Sequence, residues 1–341
     1  NLGDGKNGQQ FLEELKFTKR LKHTHLFIMI TAETAKEVVL GTREYEPDGY
    51  IAKPLTRPVL EQRLNHLIRQ QKDLKHINKE IDLENYSKAI SLCHNLIEDN
   101  TRYKSWCFQS LGKLYLDIGD SINAVKIYKN VLAAREIPWA MLGMGLALEQ
   151  EQKYEQAVES FESTLQFNPN IIEAYDYLSR CHLKLGRKKE AQKTLQDAVR
   201  LSPRMIPRQE KLGNLSQKNN DIQAATNAYR HVVEYGVNSI HDKADNYLNL
   251  GRCLSDWSEG DHSDSGKLIA SEAVEVLNAL NNKFSHDEDS CLNATLIEAR
   301  VHIGQDNKQA AEEKLYQAEC FIEEDDLSAE VGIEFSKSLY S

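Results

Sequence analysis

The chain lacks the features that mark membrane-spanning and secreted proteins. None of its apolar runs reaches the roughly 18 residues that a membrane-spanning helix needs, and the densest, residues 25–31, has the length of a buried strand. The first residues contain no apolar segment of the kind found in signal peptides. The six cysteines form no Cys-x-x-Cys pair. They mostly fall in predicted helices, as small core residues of a reducing compartment do, and we therefore expect a cytoplasmic protein.

Positive charge and catalytic motifs are also scarce. The 42 Lys and Arg residues are outnumbered by 52 Asp and Glu residues, giving a net charge of −10. This balance argues against nucleic acid or an anionic membrane as the partner. The sequence has no Gly-rich phosphate loop, no G-x-S-x-G and no paired-His motif, so we expect neither a catalytic nor a metal site in this chain. An enzyme with its active site in a groove is the third hypothesis only.

A period of about 34 residues runs through the middle of the chain. A small residue is followed twelve positions later by an alanine, and four positions after that by a bulky residue. The sets are Gly112, Ala124, Tyr128; Gly145, Ala157, Phe161; Ser179, Ala191, Leu195; and Gly213, Ala225, Tyr229. Such a period indicates stacked helical hairpins that form a solenoid with a long concave surface. We expect the four alanines to be buried and the hairpin turns to lie near 119–121, 151–153, 186–188 and 219–221.

These repeats resemble tetratricopeptide repeats, whose signature includes Leu-Gly, Tyr, Ala and an aromatic residue at fixed positions. The first clear repeat has Leu111, Gly112, Tyr115, Ala124 and Tyr128. The resemblance implies that a protein or peptide partner binds in the concave groove. Carried onto this chain, the family's groove positions include Trp106, Gln109, Lys113, Trp139, Leu142, Leu146, Asp176, Arg180, Lys184, Asn214 and Lys218.

Two interpretations of the tryptophans at one end of this predicted groove remain open. Trp106 and Trp139 either anchor a partner, since Trp is enriched in binding hot spots, or simply pack between helices. The chain does not reproduce the Lys and Asn pattern with which one subclass of the family holds a C-terminal carboxylate, because Leu146 occupies one of the positions concerned.

Residues 1–68 do not follow the repeat. Their pattern predicts a helix over 8–20, a buried parallel strand over 25–31, a helix, a short strand ending at Pro54, and a helix with Thr56 as its N-cap. This order is the second half of an α/β doubly wound domain. We expect the last helix to continue directly into the solenoid as a stiff junction.

The segments ITAE (30–33) and GYIAKP (49–54) resemble the receiver domain of two-component response regulators. The resemblance implies that Thr31 and Lys53 sense a phosphoryl group and that Tyr50 is the aromatic switch residue. It also implies an acceptor Asp about two residues before Asn1, a Mg²⁺ ion held by upstream acidic residues in the complete receiver, and a sensor histidine kinase as partner. The alternative is that Thr31 is an ordinary strand-end residue and Lys53 a solvated lysine.

The predicted fold is therefore mainly α: a tetratricopeptide-type α-α solenoid preceded by the C-terminal half of a flavodoxin-like α/β receiver domain. The predicted domains are the incomplete receiver over residues 1–68, a connecting helix and incomplete repeat over 69–104, the array over 105–326 and a capping helix over 327–341. The resemblances imply a bacterial signal-transduction response regulator whose array is a protein-binding output module controlled by aspartyl phosphorylation, and which can homodimerise. The alternative is a constitutive scaffold whose receiver is vestigial or purely structural.

Overall fold

The computed structural model describes residues 5–32, 35, 39–41, 44–99, 102–319, 332–334 and 337. The chain divides into two compact units, unit 1 (Asn1–Met205) and unit 2 (Ile206–Ser341). Both are mainly helical. No helix among the described residues is long and apolar enough to cross a membrane.

Unit 1 begins with a short α/β segment and continues as helices. Its elements are α1 (Gly8–Phe17), β1 (Ile28–Thr31), β2 (Gly49–Ala52), α2 (Arg57–Asp82), α3 (Tyr86–Asp99), α4 (Lys104–Asp117), α5 (Ser121–Ala134), α6 (Pro138–Gln150), α7 (Tyr154–Phe167), α8 (Ile172–Lys184) and α9 (Lys188–Leu201). Helices α2 to α9 form four successive antiparallel pairs.

The described residues of unit 2 form three further helical pairs. Its elements are α10 (Ile206–Lys218), α11 (Ile222–Gly236), α12 (Ala244–Ser258), α13 (Asp264–Lys283), α14 (Glu288–Gly304) and α15 (Lys308–Glu319). Residues 259–263 join α12 to α13, and the Ser263 side chain caps α13 by accepting a hydrogen bond from the Gly266 N–H. Residues 332–334 are helical, and the rest of the predicted capping helix 327–341 lies mostly outside the described residues.

Strands β1 and β2 are parallel, with Ile28 opposite Gly49 and Thr31 opposite Ala52. The predicted order of helix, strand, strand and helix is therefore present, although most of the helix predicted between the strands lies outside the described residues. The expectation that β1 is buried on both faces is wrong, because Ile30 is 40% exposed. Within the described residues β1 pairs with β2 alone. Thr56 occupies the N-cap of α2, but its side chain makes no capping hydrogen bond.

Helix α2 runs without interruption for 26 residues and crosses the predicted boundary between 68 and 69. Its second half packs against α3, where Leu74 and Ile77 join a core cluster with Ala89 and Cys93. The same helix thus follows β2 and supplies the first half of the first hairpin. This confirms the expected continuous junction, whereas the exact domain boundaries stay predictions.

The predicted hairpins are confirmed. Turns join α4 to α5, α6 to α7, α8 to α9 and α10 to α11 at the expected positions. The four alanines of the period are all 0% exposed. Ala157, for example, packs in a core cluster with Phe161 and Leu178, so a longer side chain would overpack the junction.

A close approach also explains the small residue at the start of each period. A Cβ added at Gly145 would lie 2.4 Å from the ring of Phe161, and one added at Gly112 would lie 2.5 Å from Tyr128. At the same position in the third repeat, Ser179 donates a 2.9 Å hydrogen bond to the carbonyl oxygen of Ala191. In the three repeats that have glycine here, the aromatic ring of the second helix therefore packs directly on the backbone of the first.

One residue in each of these turns has left-handed backbone geometry. The φ angles are 80° at Gly119, 61° at Gln152, 75° at Gly186 and 59° at Asn220. Glycine and asparagine adopt this region most readily. The turns are thus built alike in every repeat, which keeps the hairpins in the same phase.

Candidate protein-binding groove

The inner face of unit 1 is built by the first helices of three hairpins. Helix α6 contacts both α4 and α8, so the three lie side by side. We call this surface the α4–α6–α8 face. It carries nine of the eleven predicted groove residues; the other two, Asn214 and Lys218, lie on α10 in unit 2.

The α4 end of this face lies opposite the N-terminal segment, by which we mean the described residues before α2. Trp106 and Gln109 are half-buried, and with Lys113 they line a cavity of about 700 Å³ whose other walls include Lys16 and Asp82. The Lys113 ammonium lies 3.3 Å from a carboxylate oxygen of Glu46. At this end, therefore, the groove residues already contact the chain's own N-terminal segment.

The wall of this cavity carries charges of both signs. Lys16 Nζ donates a 3.3 Å hydrogen bond to the Glu46 carbonyl oxygen. Burial lowers the pKa of Lys16, and the negative charges of Glu46 and Asp48 oppose that shift. Burial likewise raises the pKa of Asp117, on the opposite wall, and Lys113 opposes that shift. Lys16 is half-buried, whereas Glu46, Asp48, Lys113 and Asp117 are exposed, so charges of both signs line the rim of the cavity.

The α6 residues of the face belong largely to the core between helices. Trp139 meets Tyr128 edge-on, with ring centroids 6.3 Å apart, and packs against the cluster that contains Ala124. Leu142 and Leu146 pack against the cluster around Phe161. The contacts of Trp139 thus agree with the helix-packing interpretation of this tryptophan.

On α8, Arg180 is held by an ion pair to the neighbouring helix. Its Nη2 donates a 2.5 Å hydrogen bond to Oε2 of Glu149, and its Nε bonds Oε1 of the same carboxylate. The guanidinium also lies 4.8 Å from the ring centroid of Tyr177. The bonds to Glu149 raise the pKa of Arg180. Lys184 is exposed and Asp176 is half-buried.

Glu149 is the groove residue that the sequence analysis missed. It is the twelfth residue of α6, one of the positions from which the family resemblance takes groove residues, so the same spacing could have found it. In unit 2, Asn214 and Lys218 are exposed, and Asn214 accepts a 3.0 Å hydrogen bond from the Tyr229 hydroxyl.

The three residues that the sequence analysis predicts to sense a phosphoryl group lie on or next to the two strands. Thr31 ends β1, and the backbone N–H of Lys53, just after β2, donates a 2.7 Å hydrogen bond to its carbonyl oxygen. Thr31 and Tyr50 are half-buried, whereas the Lys53 side chain is exposed. The fold therefore brings Thr31 and Lys53 together at the carboxyl ends of two parallel strands.

No group of three His, Cys, Asp or Glu side chains is placed to hold a metal ion in the part of the chain that the structure describes. The α4–α6–α8 face offers exposed ammonium groups, one guanidinium and half-buried aromatic and aliphatic side chains. Such a surface can bind an extended chain through polar and apolar contacts along its length.

The comparisons with known proteins agree with this geometry. The tetratricopeptide-repeat family model matches residues 148–209. These residues form tetratricopeptide repeats. The match begins in α6 and ends in α10. It contains the whole set of Ser179, Ala191 and Leu195, and it contains the set that begins at Gly145 except for Gly145 itself.

A solved structure shows the same fold over most of the chain. The C-terminal part of a tetratricopeptide repeat-containing protein from Cytophaga hutchinsonii is 14% identical, with a TM-score of 0.52, and the match covers 76% of this chain and 98% of that one. A second match is YrrB, described as a tetratricopeptide-repeat protein with an unusual peptide-binding site: 15% identity, 62% and 96% coverage, TM-score 0.44. No curated protein is similar enough to the chain to count as a relative.

Proposed function

We propose that the chain is a constitutive protein-binding scaffold that holds a segment of a partner protein along the α4–α6–α8 face. The observation that carries this proposal is the side-by-side packing of three first helices. The last of them, α8, lies within the residues that match tetratricopeptide repeats, and the match begins at the end of α6. Stacked repeats of this kind form extended concave surfaces that bind other proteins. A reducing, cytoplasmic location stays a prediction from the cysteines.

The contacts of the N-terminal segment favour a constitutive role. Asp82, at the end of α2, accepts hydrogen bonds from the backbone N–H groups of His23 (2.6 Å) and Thr24 (3.0 Å). Gln71 Nε2 donates 3.0 Å hydrogen bonds to the carbonyl oxygens of His23 and His25. These bonds fix the segment to the first hairpin without needing a phosphoryl group. We infer that the segment is a structural end of the array.

Peptides that bind the α4–α6–α8 face can be selected from a random displayed library. We expect their affinity for the protein to fall when Lys184 is replaced by alanine. The Lys184 ammonium is exposed on α8, so its removal takes away a charge without disturbing the core. A loss of about fivefold corresponds to roughly 1 kcal/mol. Fluorescence anisotropy with the labelled peptide measures it. The matched control is Lys189→Ala, which removes an exposed lysine from the second helix α9.

A further variant separates binding from packing. Trp139→Ala should lower the melting temperature, because the indole packs on Tyr128. Equal peptide affinity of the Lys184→Ala and Lys189→Ala proteins would contradict binding on the α4–α6–α8 face. An unchanged melting temperature of Trp139→Ala, together with lost peptide affinity, would instead make Trp139 a partner anchor.

A second candidate function is phosphorylation control. It is supported by the adjacent positions of Thr31 and Lys53 at the ends of β1 and β2. A hydroxyl and an ammonium there could each bond an aspartyl phosphate, which gains about −1.5 to −2 charge. In this candidate a histidine kinase supplies the phosphoryl group, Mg²⁺ binds to upstream acidic residues, and phosphorylation changes partner binding or dimerisation.

The test of this candidate uses the protein extended upstream of Asn1 to its native start. With acetyl phosphate and Mg²⁺, intact mass should rise by one phosphoryl group, and affinity for the selected peptides should change. Lys53→Ala should abolish that change, since the ammonium no longer meets the phosphate. The chain 1–341 is the control and should take up no phosphate. Absence of phosphorylation in the extended protein would leave the constitutive scaffold as the function.

A further inference from the structure

In unit 2, two arginines from neighbouring helices meet around one carboxylate of the C-terminal segment. Arg252 lies on α12 and Arg300 on α14, and these helices pack together. Arg252 Nε donates a 2.8 Å hydrogen bond to Oε1 of Glu334, and Arg300 Nη1 lies 3.6 Å from Oε2. The side chain of Glu334 is 3% exposed and that of Arg300 7%. We call the pair of guanidinium groups the Arg252–Arg300 site.

The array itself positions both arginines. Arg300 Nε donates to the Ser255 hydroxyl at 3.0 Å, and its Nη2 donates to Asp256 Oδ1 at 2.7 Å. Arg252 Nη1 donates to Asn249 Oδ1 at 3.3 Å. The acceptors all lie on α12, so the guanidinium groups are ordered by the array and not by the segment that they hold. Preorganised donors of this kind lower the entropic cost of binding a ligand.

Among residues 332–334, the contact with this site is made by the carboxylate of Glu334. Ile333 is 54% exposed, whereas Glu334 next to it is 2% exposed. A Cβ added at Gly332 would contact nothing within 4 Å. Gly332 and Ile333 therefore bury little apolar surface. Glu334 is the buried residue of this turn, and its Oε1 also lies 3.5 Å from the Lys337 ammonium.

Charge balance requires a carboxylate in this position. With Glu334 removed, Arg300 would keep its ion pair with Asp256, whose side chain is 46% exposed, and Arg252 would lose its 2.8 Å bond to a carboxylate. A buried guanidinium without an adequate counter-charge is strongly unfavourable, because its desolvation is not repaid. Another carboxylate would restore the charge balance. A guanidinium group can also donate two parallel hydrogen bonds to a carboxylate.

We propose that the Arg252–Arg300 site binds a partner helix that carries a glutamate, and that the chain's own segment around Glu334 occupies it in cis until such a partner displaces it. The helical turn at 332–334 and its buried Glu334 show what the ligand looks like. This inference rests on the scaffold function and names the partner chemistry for unit 2. A segment tethered to its own site competes at a high effective concentration, on the order of millimolar when the tether is short and flexible. The resident segment thus sets a threshold that a partner must exceed.

The experiment uses the full chain and a fluorescein-labelled peptide with the sequence of residues 327–341. Glu334→Gln in the protein removes the competing carboxylate, so we expect the peptide to bind this variant at least tenfold more tightly than the unchanged protein. A peptide with glutamine at its own Glu334 position should bind at least tenfold more weakly to the same variant. Adding Arg252→Gln to the Glu334→Gln protein should also abolish the gain.

The matched control adds Arg230→Gln to the Glu334→Gln protein. Arg230 pairs with Glu272 at 2.6 Å and shares no contact with Glu334, so peptide affinity should stay unchanged. Arg252 is 20% exposed, which makes its replacement safer for folding than that of Arg300, and circular dichroism verifies the fold.

Three results would overturn the proposal: no peptide binding to the Glu334→Gln protein, equal affinity of that variant and the unchanged protein, or equal affinity for the glutamine peptide. Peptides selected on the α4–α6–α8 face provide the separate readout for the scaffold function. Their affinity should not respond to Glu334→Gln or Arg252→Gln. If the Arg252–Arg300 proposal fails, the selected peptides should still bind unit 1. If those peptides do not bind unit 1, the affinity measured for the 327–341 peptide is unaffected by that failure.

Discussion

Replacing Phe161 by alanine should lower the free energy of unfolding by about 3–5 kcal/mol. The Phe161 side chain is 0% exposed and belongs to the core cluster with Ala157 and Cys181. Its ring stacks on that of Tyr177, with centroids 5.7 Å apart. Truncation would therefore remove buried apolar area and leave a cavity where α6, α7 and α8 meet, and close packing on the α6 backbone would be lost as well.

Urea unfolding, monitored by circular dichroism, measures this loss in the unfolding transition whose midpoint moves to a lower urea concentration. Phe167→Ala is the matched control, because Phe167 lies on the same helix but is 50% exposed. Its replacement should change the free energy of unfolding by about 0.5 kcal/mol or less. Similar losses in the two variants would show that the Phe161 position is not the packing centre of the repeat.

Gly145→Ala should destabilise the protein by about 1–3 kcal/mol, although the same change inside an ordinary helix stabilises it by about 1 kcal/mol. The reversed sign follows from the close approach, since the new Cβ would lie 2.4 Å from a ring atom of Phe161. The helix or the ring must then move away. The same urea experiment measures the effect.

A second substitution tests the cause of that loss. Phe161→Leu removes the edge of the ring, so the Gly145→Ala/Phe161→Leu protein should be more stable than the sum of the two single changes indicates. Contacting residues typically couple by about 0.5–3 kcal/mol in such cycles. Strict additivity would mean that Gly145 is required for a reason other than the ring of Phe161.

The repeat architecture could be predicted because it depends on local spacing. A small residue, an alanine and a bulky residue in constant phase fix where helices cross, and the buried Ala124 and Ala225 lie where that phase requires. The turns follow from the same period, with Gly119 and Gly186 at the left-handed position. These features need no knowledge of contacts between distant parts of the chain.

The charges of the candidate sites could not be predicted in this way, because each ion pair joins residues from different elements. Arg180 pairs with Glu149 of the preceding repeat. Lys113 meets Glu46, 67 positions earlier, and Arg252 meets Glu334, 82 positions later. The sequence showed Arg180 and Lys113 as groove cations, but the partners that fix them depend on how loops and termini fold back.

The exposure of Ile30 was missed for a related reason. An apolar run of strand length indicates burial on both faces only if further strands or helices cover it. The described residues give β1 one neighbouring strand, β2. The apolar pattern alone therefore identified the strand but not its surroundings.

The length of α2 sets an angle as well as a distance. Gln71 and Asp82, which both bond to residues 23–25, are eleven positions apart and so lie about three helical turns from each other on one side of the helix. One residue inserted between them would rotate the two contacts out of line by about 100°. A whole inserted turn would restore the angle but would move the two side chains about 5.4 Å further apart, although both bond to His23. These bonds therefore fix the number of residues between Gln71 and Asp82.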